Sequence, residues 1–265
     1  MTAAAAAPEA GEPAPVLTEV VDGLLVVTIN RPHARNAINT VTAVAIGAAM
    51  DRLDEDRSLV AGIITGAGGT FCAGMDLKAF LAGEKPSIPV RGFAGIVESP
   101  PKKPVIAAIE GYALAGGFEI ALACDMIVAS REAAFGLPEV KRGLVAAGGG
   151  LMRLPARVPY HLAMEWCLTG AMIPAVRAHE VALVNRLTEP GQALTEAMDL
   201  GRVISANGPL AVRATKQVIV EAPQWAPSEM FDKQREITVP VRESEDAREG
   251  ALAFKEKRAP RWRGA

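Results

Sequence analysis

Residues 103–130 read "KPVIAAIEGYALAGGFEIALACDMIVAS". The stretch opens with a β-prone apolar run at 103–111, entered through the Pro-rich "SPPKKP", and closes with a second at 124–130. Between the runs, residues 116–123 have room for only a short helix. Strands alternating with helices predict an α/β layered fold with substantial parallel pairing.

The pattern extends in both directions. "GLLVVTIN" (23–30) reads as a strand that stops at Arg31-Pro32, and "VAGIITG" (60–66) as a buried strand closed by the Gly-rich "GAGGTFCAG". Thr40 is placed to cap a helix over about residues 41–57. "AAFGLPEV" (133–140) begins as a short extended piece. From about residue 159 the β signal fades, and 159–169, 175–182, 192–206, 208–220 and 227–257 read as helices divided by Pro and Gly. The expected organisation is a leader at 1–15, an α/β core at 16–200 and a helical C-terminal region at 201–265, without a flexible linker.

With 265 residues, half of them hydrophobic, the chain can bury one sizeable core. Its net charge of −2 offers no basic field for nucleic acid or an anionic membrane. The Ala/Pro-rich "MTAAAAAPEAGEPAPV" lacks the basic and apolar parts of a signal peptide and reads as a disordered leader. No window reaches the roughly 18 apolar residues of a membrane span. Cys72, Cys124 and Cys167 are widely separated and form no C-x-x-C pair, which fits a reducing compartment. A cytoplasmic protein is expected.

Several chemistries drop out. "GAGGTF" places Phe71 where a dinucleotide fingerprint needs its third glycine, and neither G-K-[ST] nor G-x-S-x-G occurs. His33, His161 and His179 lie far apart and form no H-E-x-x-H, so no metal site is expected. What remains is a set of glycine turns and two oddly placed acids. Gly116 and Gly117 precede a helix-like run, whose start leaves backbone N–H groups free for an oxygen that becomes negative. Gly74 in "FCAGMD" (71–76) permits a second such turn. Glu119 lies on the first turn of the short helix, where the dipole favours its ionised form, and Glu139 follows Pro138 beside apolar groups. Two carboxylates in partly apolar settings can divide acid and base roles. Taken singly, each feature also has a plain structural reading: a helix-start acid, an exposed loop acid, turn glycines.

Together these segments resemble the crotonase superfamily, that is, the enoyl-CoA hydratase/isomerase family. "FCAGMDLK", "GYALAGGFEIALACDMIVAS" and "FGLPEVKRGLVAAGGGLMRLP" are similar to its three motif segments, with "NRPHARNAIN" near the start and "AFKEKRAPRW" near the end. The likeness spans about residues 16–263. It implies a crotonase (ClpP-like) spiral of ββα units with a helical C-terminal trimerisation region, assembled as a trimer or dimer of trimers. It also implies a hydro-lyase acting on an acyl-CoA thioester, with no cofactor beyond the coenzyme A that the substrate carries.

By position, the thioester oxygen would accept from the backbone N–H groups of Met75 and Gly116, and Glu119 and Glu139 would be the catalytic acids. The CoA path would run along Ala34, Arg35, Ala37, Ala73, Gly74, Asp76, Leu77 and Gly117, with Lys78 toward the phosphates. Phe254 and Lys257 match residues that reach the nucleotide of a neighbouring subunit, although Lys257 in "KEKR" also reads as a solvated helix-face charge. The resemblance points to enoyl-CoA hydration. The carnitinyl-CoA dehydratase (crotonobetainyl-CoA hydratase) branch and enoyl-CoA isomerisation are the alternatives within the family, and a non-catalytic RNA-binding member is the alternative outside enzymes.

Overall fold

The computed structural model describes residues 13–265. Most of the leader expected at 1–15 therefore lies outside the described residues. The chain runs β1 (Val16–Val21), β2 (Leu24–Ile29), α1 (Thr40–Glu55), β3 (Ala61–Gly66), α2 (Leu77–Leu81), β4 (Ser87–Ile88), β5 (Gly92–Phe93), β6 (Val105–Ile109) and β7 (Tyr112–Leu114). It continues through α3 (Gly116–Ala123), β8 (Met126–Ser130), β9 (Ala134–Gly136), a 3-10 turn (Pro138–Arg142), α4 (Gly150–Arg153), α5 (Tyr160–Thr169), β10 (Ile173–Pro174), α6 (Ala175–Glu180) and β11 (Arg186–Thr188). Four helices close the chain: α7 (Ala193–Ser205), α8 (Pro209–Glu221), α9 (Met230–Arg242) and α10 (Glu245–Glu256).

Six strands form one sheet in the order β1-β2-β3-β6-β8-β11. Only the β1–β2 hairpin is antiparallel; the other pairings are parallel. The apolar runs of β2, β3 and β6 are continuous because both faces of the sheet are covered. Leu25, Val27 and Ile29 of β2 join α1 residues Ile46, Met50 and Leu53 in one core, while Leu24 and Val26 face the other way, toward Ala197 of α7. α7 lies across β3, β6 and β8.

A second sheet, in the order β10-β9-β7, grows from the ends of the first. β6 leads through Gly111 into β7, and β8 leads into β9, with β7 and β9 parallel to each other. β6 and β8 are thus each followed by a second-sheet strand and a helical turn, the ββα unit of the spiral that the resemblance implies.

Four local expectations are corrected. The cap of α1 is Asn39, whose side chain accepts from Thr42 N; Thr40 is already helical. The extended chain begins at Val16, where β1 pairs with β2 over a partly exposed face that an Ala/Pro-rich flank obscures in sequence. The β structure does not end near residue 159, since β10 and β11 are added by pairing with β9 and β8. Both are too short to show a period of their own. Finally, 227–257 is two helices, broken at Ser244, whose hydroxyl caps α10 by accepting from Ala247 N.

Candidate functional site

The two glycine turns meet. Cys72 N donates to Tyr112 O at 2.9 Å and Leu114 N donates to Cys72 O at 3.0 Å, so the "FCAGM" segment lies along β7. This brings Gly74 against the start of α3. A Cβ on Gly74 would sit 2.9 Å from Ala115 Cβ, 3.0 Å from Leu114 O and 3.1 Å from Gly116 N, and its φ of 98° lies in the region only glycine adopts freely. Ala115 turns the chain into α3 at φ 51° and ψ −127°, a strained backbone for a residue with a Cβ. Its own N–H donates to Gly136 O at 2.8 Å, which holds the turn in place.

The flanks of Met75 are both tied to one residue. Ile38 N donates to Gly74 O at 2.8 Å, and Asp76 N donates to Ile38 O at 2.9 Å. In such a parallel bridge the N–H between the two bonded groups points away from the partner strand. Neither Met75 N–H nor Gly116 N–H has an acceptor among the described residues. Phe93 packs against the same place, since a Cβ on Gly116 would meet its ring carbons at 2.5 and 2.6 Å. Two backbone donors from separate turns, beside an aromatic wall, make a hole suited to a developing oxyanion.

The "NRPHARNAIN" loop supports this arrangement through Asn36, which is fully buried. Its side-chain amide donates to Ala67 O at 2.8 Å and Thr70 O at 2.7 Å, and its oxygen accepts from Arg31 N at 2.9 Å. All three of these bonds hold backbone, so Arg35 and Asn36 are kept at positive φ values that would otherwise be unfavourable. Ala73 N then donates to Arg35 O at 3.1 Å, joining this loop to the Gly74 turn.

The two acids come together through their supporting elements. Phe118 of α3 and Phe135 of β9 pack with ring centroids 5.2 Å apart, which brings the start of α3 beside the 3-10 turn that carries Glu139. Glu119 is only 4% exposed, and its Oε1 accepts from Gly150 N at 3.0 Å. A side chain on Gly148 would begin 2.5 Å from Glu119 Oε2, so the Gly148–Gly150 run closes over the carboxylate because it has none. Glu139 is half-buried, and its Oε2 is enclosed without a hydrogen-bond partner among the described residues.

Burial pushes both carboxyls above the ordinary range. For Glu119 the rise is opposed by N–H groups of Gly150 and Gly148 and by the charge of Arg153. For Glu139 it is opposed by its own backbone and by Arg142, and reinforced by the charge of Glu119. Burial thus works against the ionised form that the helix start is expected to favour. The thiols of Cys72 and Cys124 are pushed up to about 12 by burial, which leaves neither as a thiolate nucleophile near neutrality. Among the described residues no group of three or more His, Cys, Asp or Glu side chains is placed to hold a metal ion, and no helix is long and apolar enough to cross a membrane.

The other sequence-derived residues divide into four groups. Ala34, Arg35, Ala37, Ala73 and Gly74 lie on the two loops just described, along one side of the hole. Asp76 is structural, because its carboxylate caps α2, accepting from Lys78 N and Ala79 N, and pairs with Arg31 at 3.0 Å. Leu77 and Lys78 are exposed on α2, and Gly117 is needed where a Cβ would run into Cys72. Phe254 and Lys257 are not brought to the acids within this chain. Phe254 is 89% exposed on α10, which packs on α9, and Lys257 ends that helix in a left-handed conformation. Sequence reasoning gives no role to Arg31, Asn36, Phe93 or Arg153, although Arg31, Asn36 and Arg153 sit inside segments that carry the resemblance.

Comparison with known proteins gives the family and the fold. The sequence model of the family described as enoyl-CoA hydratase/isomerase matches residues 19–265. An enoyl-CoA hydratase of Mycobacterium tuberculosis is 44% identical over 249 residues, covering 90% of this chain and 92% of that protein. A carnitinyl-CoA dehydratase of Proteus mirabilis is 42% identical over 249 residues, covering 91% of this chain and 95% of that protein. The crystal structure of an enoyl-CoA hydratase from Mycobacterium tuberculosis H37Rv is 58% identical, with a TM-score of 0.94 over 96% of this chain and 100% of its own. The chain belongs to the enoyl-CoA hydratase/isomerase family and has the crotonase fold.

Proposed function

We propose that the protein is a hydro-lyase that reversibly adds water, in the syn sense, to the double bond of a 2-trans-enoyl-CoA thioester. The observation that carries this reading is the convergence of two carboxyls of raised pKa, Glu119 and Glu139, beside two backbone donors that have no acceptor among the described residues, those of Met75 and Gly116. Water oxygen adds to C3 as its proton passes to Glu119, and Glu139 gives a proton to C2. The negative charge that develops on the thioester oxygen meets the Met75 and Gly116 N–H groups. Exchange with solvent returns both carboxyls to their starting states, so the reaction consumes only water. No cofactor takes part beyond the coenzyme A of the substrate.

The CoA moiety lies along the Ala34–Ala37 and Ala73–Asp76 backbone, toward Lys78. The C-terminal region from about residue 201 forms a homotrimer, or a dimer of trimers, in which Phe254 and Lys257 reach a neighbour's CoA. The free thiols of the three cysteines are consistent with a cytoplasmic enzyme.

A second reading, hydration of crotonobetainyl-CoA, is favoured by the Proteus dehydratase, whose 42% identity nearly equals the 44% of the hydratase. A trimethylammonium acyl group would need aromatic or acidic walls. The aromatic ring at the hole is Phe93. Loss of enoyl-thioester absorbance, followed in parallel with crotonyl-CoA, longer enoyl-CoA esters and crotonobetainyl-CoA, decides between the readings. Absence of turnover on all of them overturns both.

A further inference from the structure

Arg153, the last residue of the four-residue helix α4, is half-buried against the site without reaching the proposed reacting atoms. Its guanidinium spans two segments: Nη2 donates to Val97 O at 2.5 Å and Nη1 donates to Gly148 O at 3.4 Å. The first contact holds the stretch that carries Phe93, the wall of the oxyanion hole. The second holds the start of the Gly148–Gly150 run, whose far end donates to Glu119 Oε1. Gly149, at φ 95°, has no Cβ where the guanidinium lies, and a side chain there would collide with Nη1.

We propose that Arg153 is a positioning residue that keeps the buried Glu119 ionised and aims it, acting through both its charge and the glycine run that it pins. The inference rests on the two-acid reading given above. A carboxylate as enclosed as Glu119 is costly unless its charge is compensated. The two compensating sources are the backbone donors of the glycine run and the Arg153 cation. The other charged or titratable groups around the site are Glu139 from the 3-10 turn, Arg142 beside it, the thiol of Cys167 on α5 facing Glu139, Arg157 just after α4 and the thiol of Cys124 at the end of α3. Arg142 acts on Glu139, and Arg157 is committed to Leu122 O at 2.5 Å. Arg153 is the cation that acts on Glu119.

The test is the pH profile of kcat/KM. In Arg153→Gln, an amide still reaches a backbone carbonyl but the charge is gone, so the acid limb moves up by about one pH unit, the low end for losing an adjacent opposite charge. Arg153→Lys keeps a cation on a shorter reach and moves the limb by less than half of that. Melting temperature and CoA binding identify variants that have lost the fold. If Arg153→Gln does not fold, a limb displaced upward in Arg153→Lys still supports the assignment. A loss of activity that is even at every pH in each folded variant overturns it and leaves Arg153 as a packing residue.

Infrared difference spectra between each protein and its Glu119→Gln version, taken at stepped pH, read the Glu119 carboxylate without turnover. An upward shift there in a protein that hydrates no enoyl-CoA would sustain the role of Arg153 while the hydratase reading fell. Full activity of Glu119→Gln would break the two-acid reading whatever the spectra show.

Discussion

Every residue of α3 is buried, whereas neither α8 nor α9 buries a single residue, although both carry large apolar side chains. Ile219 and Val220 of α8 and Phe231 of α9 remain open, as does Phe254 of α10. The difference separates two kinds of construction. Around α3 the chain supplies its own neighbours: β7, β9, the Gly74 turn and the Gly148–Gly150 run enclose it on all sides. The C-terminal helices carry apolar area that this chain leaves uncovered, as expected of an interface between subunits. The proposed chemistry thus lies where one chain completes the packing, and the proposed assembly where it does not.

The largest break in this contrast should come from the acids. Glu119→Gln and Glu139→Gln should each lower kcat by about 10²–10⁴-fold, the range for a positioned acid or base, while CoA binding measured by calorimetry stays near that of the parent. Next comes the turn that places the second donor. Gly74→Ala must seat a Cβ against Ala115 and Gly116 N at a φ of 98°, so about 10²-fold in kcat should go with the loss of one oxyanion donor. Retention of full activity would mean that Met75 N–H is not used.

The C-terminal helices should respond differently. Ile219→Asp or Phe231→Asp should lower the mass seen by light scattering toward a single chain and leave the Phe118–Phe135 core folded by near-ultraviolet dichroism. Mass that stays unchanged would remove these side chains from the interface. Phe254→Ala should raise KM for the CoA substrate severalfold with kcat nearly constant.

The smallest effect concerns stability. Burial raises the Glu139 pKa in the folded state, so the folded protein binds this proton more tightly than the unfolded one. Between the unfolded carboxyl pKa and the raised folded value, stability falls as pH rises, and above that window the full cost is present. Glu139→Gln should therefore melt higher than the parent near pH 7.5, with the gap closing as pH falls toward 4. The opposite trend would mean that the carboxylate is stabilised in the folded protein. A gain in stability together with lost turnover is the trade expected where a site holds an uncompensated charge.

Much of the core is legible in the residues alone. The runs at 23–30, 60–66, 103–111 and 124–130 are predominantly apolar, and the structure places a largely buried strand in each. The short helix at 116–123 is found at those bounds because a strand follows at Met126. β11 is hidden because three residues, Arg186–Thr188, carry no period, and only the open edge of β8 makes them a strand. Asn39 and Thr40 both suit the cap position of α1, and only the backbone turn at Asn39 decides between them.

At the site, local sequence determined the kinds of group available: glycines that permit close approach and positive φ, a helix start with spare N–H donors, and two acids in apolar company. Distance in sequence hid the rest. Gly148 lies 29 residues beyond Glu119, yet its missing side chain is what lets the loop close over that carboxylate. Arg153 reads locally as an ordinary helix-end cation, and its place between Val97 O and Gly148 O is set by two loops that meet only in the folded chain. Composition and periodicity specify which elements form, because those depend on neighbours along the chain. Which carboxyl is buried, what compensates its charge and which donors lack acceptors depend on packing between elements far apart in sequence, and only the tertiary structure decides them.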